Sequence, residues 1–226
     1  MNKIAAIIRY GSQNYGLKCP DSDSDYKILV YPSFADLYNS KTKHELPLPY
    51  DSEHYSTMDL RQFDKLLRKG NPNIIELLFS NYQNINFDNV FWHTYWEQVH
   101  VLYENGYVAQ VWPQFVSAVK GMIFQYLDNE YSRKNVARAW YWMCFLFEVY
   151  MDEGKITAET WQHTGISMAR KIRFGEIDLP SHEYFNQVWA RVEDNVQIKT
   201  TNNFTFPSDL MYQAIKYEII KGEYDA

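Results

Sequence analysis

Two apolar runs, joined through a glycine-serine turn and an acidic cluster, restrict this chain more than any other part of it. Ile4, Ala5, Ala6, Ile7 and Ile8 form the first run, which stops at Gly11 and Ser12. The second begins among Asp21, Asp23 and Asp25 and turns apolar at Ile28, Leu29 and Val30. Runs of this kind, bounded by turn residues, predict strand, tight turn, short helical turn, loop and strand. The chemistry sits at the junctions. Gly11 lets a backbone come close to a ligand, and Ser12 offers a hydroxyl and an N–H near a helical N-terminus, a good place for a phosphate. Asp23 and Asp25 are separated by one residue, so on a strand their side chains leave the same face. Two carboxylates there repel unless a cation lies between them, which points to Mg²⁺. Each feature alone is an ordinary turn; together, between two strands, they read as an active site.

Length and composition bound the alternatives. The 226 residues suffice for one large or two small domains, and 46% hydrophobic content fits a folded core. No apolar run approaches a membrane span, and the N-terminal run is too short for a signal-peptide core. Cys19 and Cys144 lie far apart without metal-ligand spacing, as free thiols in a reducing cytoplasm would. A net charge of −6 argues against a protein that coats nucleic acid non-specifically, while leaving room for a local basic groove. Aromatics make up 17% of the chain, and most fall in helical stretches, where packing is their default use and stacking on bases the alternative.

The pattern Gly-Ser-x-x-Tyr-Gly-Leu-x-x-Pro-x-Ser-Asp-x-Asp, from Gly11 to Asp25, resembles the signature of the DNA polymerase β-like nucleotidyltransferase superfamily. Its wording is similar to a branch from bacteria and phages that includes an RNA-repair-associated group. A second block, from Asp59 to Phe79 with Lys-Gly-Asn-Pro-Asn ahead of Glu-Leu-Leu, resembles the segment that follows the catalytic sheet in that branch. The resemblance implies an α+β fold: a nucleotidyltransferase-type mixed sheet with flanking helices over residues 1–85, then an all-α helical bundle over 86–226 closing the nucleotide cleft. It implies transfer of a nucleoside monophosphate from an NTP, ATP among them, to a hydroxyl of an RNA end, a protein or a small molecule. Asp23 and Asp25 would hold Mg²⁺ or Mn²⁺, and Gly11 and Ser12 the β/γ-phosphates. Asn14 and Tyr15 would touch the nucleotide, and Asp21 would be a solvated loop acid.

One position departs from the family. Its third carboxylate stands about five residues before the acid of the Asp-Leu-Arg segment, and counting back from Asp59 reaches His54. Asp51 and Glu53 are close by, but a one-residue slip turns a strand side chain to the other face. Three outcomes stand open: His54 replaces the acid as a softer ligand or a base; Glu53 serves after a bulge; or the third ligand is gone and the chain is a nucleotide-binding pseudoenzyme or regulatory module. A role that uses no nucleotide is the remaining class.

Elsewhere the periodicity predicts helices. Ser33 caps one to Tyr38, and Leu60 to Lys69 presents Leu60, Phe63, Leu66 and Leu67 on one face. Pro72 to Phe79 follows, with Glu76 among apolar neighbours and in need of a partner, expected to be a basic residue. Glu53 to Thr57 reads as a third strand. Helices are expected over 88–105, 113–128, 132–152, 157–175, 180–197 and 208–221. Lys134 and Arg138, one turn apart near a helix start, form a plausible grip for a triphosphate. Lys120, Arg170, Lys171 and Arg173 are weaker candidates.

Overall fold

The computed structural model describes residues 3–19, 23–41, 54–162, 165–198 and 202–224. Four strands form one sheet: β1 (Ile4–Tyr10), β2 (Asp25–Val30), β3 (Tyr55–Asp59) and β4 (Gln83–Ile85), in the order β3-β2-β1-β4. β1 runs antiparallel to β2 and β4, while β2 and β3 are parallel, so the sheet is mixed. Burial grades along the strands. Ile28, Leu29 and Val30 on β2 and Met58 and Asp59 on β3 are buried, whereas Asp25, Tyr26, Lys27, Tyr55 and Ser56 are half-buried. The sheet is therefore covered on both faces at one end and more open at the other, where β1 ends and β2 and β3 begin. β3 covers Tyr55–Asp59, two residues later than the sequence predicts, and positions 42–53 lie outside the described residues.

The helices around this sheet are set by caps and aromatic packing. α1 (Phe34–Tyr38) starts at a reciprocal Ser33–Asp36 capping box, as Ser33 predicts. α2 (Leu60–Arg68) is capped by Asp59, a fully buried acid. Its carboxylate accepts the Arg61 backbone N–H at 2.7 Å and the Arg61 guanidinium at 2.9 and 2.7 Å. Arg61 also donates to the carbonyl of Lys41. The Asp-Leu-Arg block is thus a structural fastening. α3 (Pro72–Leu78) leads into β4. In α4 (Val90–Glu104), Trp92, Tyr95 and Trp96 meet one another in buried ring contacts, and Phe63 of α2 stacks on Trp96 with centroids 6.0 Å apart.

The described chain forms two compact units, and their limits differ from a single cut at residue 85. One comprises 1–11, 22–102 and 205–226; the other comprises 12–21 and 103–204. The expected helical domain loses its first and last helices to the sheet unit for a physical reason: buried polar groups there need partners. In α10 (Ser208–Tyr224), Ser208 Oγ donates to both Asp64 oxygens at 3.0 Å, and Glu218 takes Lys3 Nζ at 2.6 Å and Asn89 Nδ2 at 3.0 Å. Asn89 also donates to Ala214 O at 2.9 Å and caps α4 through the N–H groups of Phe91 and Trp92.

Among the described residues, the regular elements of the second unit are all helices. It contains α5 (Tyr107–Gln110), α6 (Trp112–Asn129), α7 (Arg133–Met151), a 3₁₀ turn (Thr160–Gln162), α8 (Gly165–Phe174) and α9 (His182–Asn195). α7 packs against both α6 and α8. Its core is aromatic: Tyr141, Trp142 and Phe145 of α7 surround Trp161. The helix expected from Thr157 starts instead at Gly165. Thr157 and Thr160 exchange side-chain-to-backbone bonds of 3.0 and 3.4 Å, a local turn that competes with helix initiation. The fold is α+β, a mixed four-stranded sheet with flanking helices in the N-terminal region and helices thereafter.

Two predictions follow from the polar fastenings. Asn89→Ala removes a helix cap and two further bonds from a buried site, and a loss of about 2–4 kcal/mol in urea-induced unfolding is expected. Asp64 has its pKa raised, chiefly by burial, against the opposing pull of Ser208, Tyr95 and Arg68. A raised carboxylate pKa stabilises the fold fully below the unfolded value, and that contribution disappears as pH rises through the folded one. Asp64→Asn should therefore compare worst with the parent near pH 3, and gain on it as pH is raised towards 7 in thermal melts.

Candidate functional site

The open end of the sheet gathers the chemistry, and the strand register says how. Tyr10 pairs with Asp25, Ile8 with Lys27 and Lys27 with Ser56, so Tyr10, Asp25, Lys27 and Ser56 share one face. Gly11 follows Tyr10 directly with φ +86°, the left-handed region that glycine tolerates. A Cβ placed on Gly11 would stand 3.5 Å from Asp25 Oδ2, so the turn and the carboxylate face each other. Asp25 is half-buried. Asp23 is exposed and lies in the two residues ahead of β2, outside the paired ladder, where strict alternation no longer governs its direction.

His54 stands immediately before β3 and is half-buried. Tyr26 pairs with Tyr55 on the first rung of the parallel ladder, and Asp25 and His54 each stand one residue ahead of it. Among the described residues no three His, Cys, Asp or Glu side chains come together as a metal site. Asp21, Asp51 and Glu53 lie outside the described residues. The donors that are present suit a hard cation that shares its coordination. Mg²⁺ typically takes one or two carboxylates, keeps several waters and completes its shell with substrate phosphates.

Lys27 is a member of this face that sequence reasoning passed over. Its ammonium donates to Ser56 Oγ at 2.6 Å and lies 5.0 Å from the centre of the Tyr10 ring. Burial holds its pKa below the usual lysine range, and the charge of Asp25 opposes that shift. The signal available in the sequence was spacing: Lys27 is two residues beyond Asp25 on the same strand.

Glu76 has a backbone partner in this turn. This buried acid of α3 accepts the Gly11 backbone N–H on Oε1 at 2.6 Å, rather than serving only a basic side chain. The Gly11 N–H is thereby engaged by the protein. Of the turn's two expected phosphate holders, Ser12 retains the hydroxyl.

The helical unit contributes a second cluster. Ser12, Leu17, Lys134, Arg138 and Arg173 line one small cavity. Its free volume is about 10 Å³, a single water's worth. Lys134 is exposed, while Arg138 and Arg173 are half-buried. Arg138 lies over the Tyr126 ring at 5.6 Å. Lys120 sits over Trp189 and Arg170 over Phe174, so among the weaker candidates it is Arg173 that joins Ser12. The turn itself is held by Leu17 N–H to Ser12 O at 3.0 Å. Asn14 is half-buried on this turn. Tyr15 is a core residue, 4% exposed, its ring stacked on Tyr141 at 4.5 Å and near Trp161. The resemblance implies that Tyr15 touches the nucleotide; in the fold its ring is packed against α7.

Among the described residues no helix is long and apolar enough to cross a membrane. No protein of curated function and no solved structure matches the chain. Residues 3–150 match the model of the RNA repair pathway DNA polymerase beta family. That match spans well over half of the chain, including both motif blocks and the strands that carry them, and the chain belongs to this family of the polymerase β-like nucleotidyltransferase superfamily.

Proposed function

We propose that this chain binds a nucleoside triphosphate together with a divalent cation, as a nucleotidyltransferase-family module whose metal site has two carboxylates in place of three. The observation that carries this reading is the parallel β2–β3 ladder, whose first rung pairs Tyr26 with Tyr55, one residue after Asp25 and His54. An imidazole is a softer ligand than a carboxylate and brings no negative charge, so it weakens a Mg²⁺ site more than a Mn²⁺ site. A site of two carboxylates recruits its cation with the nucleotide rather than ahead of it.

In this reading Asp23 and Asp25 hold Mg²⁺ or Mn²⁺, with His54 alongside. Bound there, the cation neutralises charge on the phosphate oxygens. Within the helical unit by itself, the cavity lined by Ser12, Lys134, Arg138 and Arg173 has the charge to hold a phosphate, and Asn14 on the same turn is a candidate nucleotide contact. Gly11 serves by close approach. The free thiols Cys19 and Cys144, both half-buried, fit a reducing cytoplasm.

A second reading, full nucleotidyl transfer, is favoured by the family itself. The family's description names RNA repair, which makes an RNA 3′ hydroxyl the first acceptor to try, ahead of a protein or a small molecule. Lys27 and Ser56 lie on the same face as Asp25, as groups lining a transfer site would.

Calorimetry separates these readings. ATP should tighten Mn²⁺ binding at least tenfold, and Mn²⁺ should tighten ATP binding by the same factor, as linkage requires. His54→Asp should raise Mg²⁺ affinity and bring on pyrophosphate release that the parent shows weakly. Rapid release by the parent, lost in Asp23→Ala and Asp25→Ala, would establish full transfer instead. Absence of nucleotide binding with either metal would leave a role without nucleotide. For the cationic cavity, Arg173→Ala, Arg138→Ala and Lys134→Ala should each weaken ATP binding about tenfold, the worth of one charged hydrogen bond. Unchanged affinity in all three would remove that cavity from the site.

A further inference from the structure

α3 is a seven-residue helix in which every other buried position is apolar or proline: Pro72, Ile74, Ile75, Leu77 and Leu78 accompany Glu76. Glu76 is 2% exposed. Burying a carboxylate is costly unless strong hydrogen bonds replace its water, so its placement calls for a reason. Its Oε1 accepts the Gly11 N–H at 2.6 Å, the length of a strong charge-assisted bond. The chain just after this helix holds Arg9, two residues before Gly11. Ser80 Oγ donates to Arg9 O at 2.6 Å, and Arg9 N–H donates to Tyr82 O at 3.1 Å. The end of β1 is gripped from one side by a run of seven residues, Glu76 to Tyr82. Asp25 Oδ2 stands 3.5 Å from where a Gly11 Cβ would be.

We infer that Glu76 is a positioning residue for the metal–nucleotide site: by holding the Gly11 amide it fixes the distance between the glycine turn and the Asp25 carboxylate. The inference rests on the nucleotide-binding reading above. Glu76 touches neither cation nor nucleotide; it acts through Gly11. A glycine at positive φ is free to flip its peptide, and one flip would aim the Tyr10 carbonyl at the Glu76 carboxylate in place of the N–H and re-orient the turn that faces Asp25. The buried acceptor holds the amide in one orientation. This also accounts for an acid, rather than an apolar residue, in the middle of α3.

The test compares Glu76→Gln, Glu76→Ala and Ile75→Ala in the full chain. Ile75 is a fully buried neighbour on the same helix that makes no bond to the turn. Three readouts are taken: the Gly11 amide proton by ¹⁵N NMR, the thermal midpoint, and ATP affinity with Mn²⁺. In the parent, the Gly11 proton should resonate downfield and exchange slowly. Glu76→Gln keeps an acceptor oxygen, so it should retain partial protection and lose ATP affinity about threefold. Glu76→Ala should lose the protection and at least tenfold in affinity. Ile75→Ala should lower the midpoint while holding ATP affinity within twofold. Should Glu76→Ala fail to fold, the contrast of Glu76→Gln with Ile75→Ala decides. Affinity losses that track the midpoint in all variants, or a Gly11 proton indifferent to Glu76, would overturn the inference. A parent that binds no nucleotide, with the Gly11 series behaving as described, would overturn the proposed function and leave the clamp standing.

Discussion

The antiparallel pairing of β1 with β2 is the constraint on which the site depends. Tyr10 opposite Asp25 is the last rung of that ladder, and it sets the residue after β1 beside the residue that opens β2. Everything chemical is concentrated at this rung. Gly11 follows one strand, Asp23 precedes the other, and Lys27 and Ser56 extend the same face. A shift of one residue would send Asp25 to the opposite face and bring Tyr26 in its place. The register is secured by burial: Ile8, Ile28, Leu29 and Val30 are wholly enclosed, and exchanging them with Lys27 or Asp25 would bury charge.

The polar groups inside the sheet unit serve this same end. Asp59 joins Arg61 and begins α2; Asp64 is tied to Tyr95 and Ser208; Glu218 is tied to Lys3 and Asn89; Glu76 holds Gly11. Each is a buried acid whose partners come from a different part of the chain or cap a helix. Apolar packing alone permits small slips between elements, whereas a buried carboxylate accepts only geometries in which its bonds are made. The unit therefore draws its last helix, nearly two hundred residues distant from the first strand, into one cooperative body with the sheet. The helical unit solves its packing differently, through rings: Tyr141, Trp142, Phe145 and Trp161, with Tyr15 added from the turn.

Most of the helices and the first two strands were legible because their signals are local. Ser33 and Ser132 cap where they were expected, and Pro72 opens α3. The failures were of two kinds. The helix expected from Thr157 was undone by a threonine pair that bonds to its own backbone, a competition invisible to periodicity. β4 went unread because three residues, Gln83 to Ile85, carry no alternation strong enough to recognise; its partner strand defines it. Among site residues, Asp25 and Gly11 were read from spacing and do face each other. Tyr15 was read as a nucleotide contact, while its ring lies in the core. Lys27, on the face of Asp25, and Arg173, in a cavity with Ser12, carry no pattern of their own in the sequence.

By itself the sequence determined the family, the paired acids, the glycine-serine turn and the histidine that stands where an acid is expected, since these are matters of identity and order. Only the tertiary structure decided which atoms answer which. It showed that a glutamate inside an apolar helix is spent on a backbone amide, that a lysine shares the acid's face, and that the final helix belongs with the first strand. The physical reason is that a buried polar group is defined by its partner, and partners are chosen by proximity in space, to which position along the chain is nearly blind.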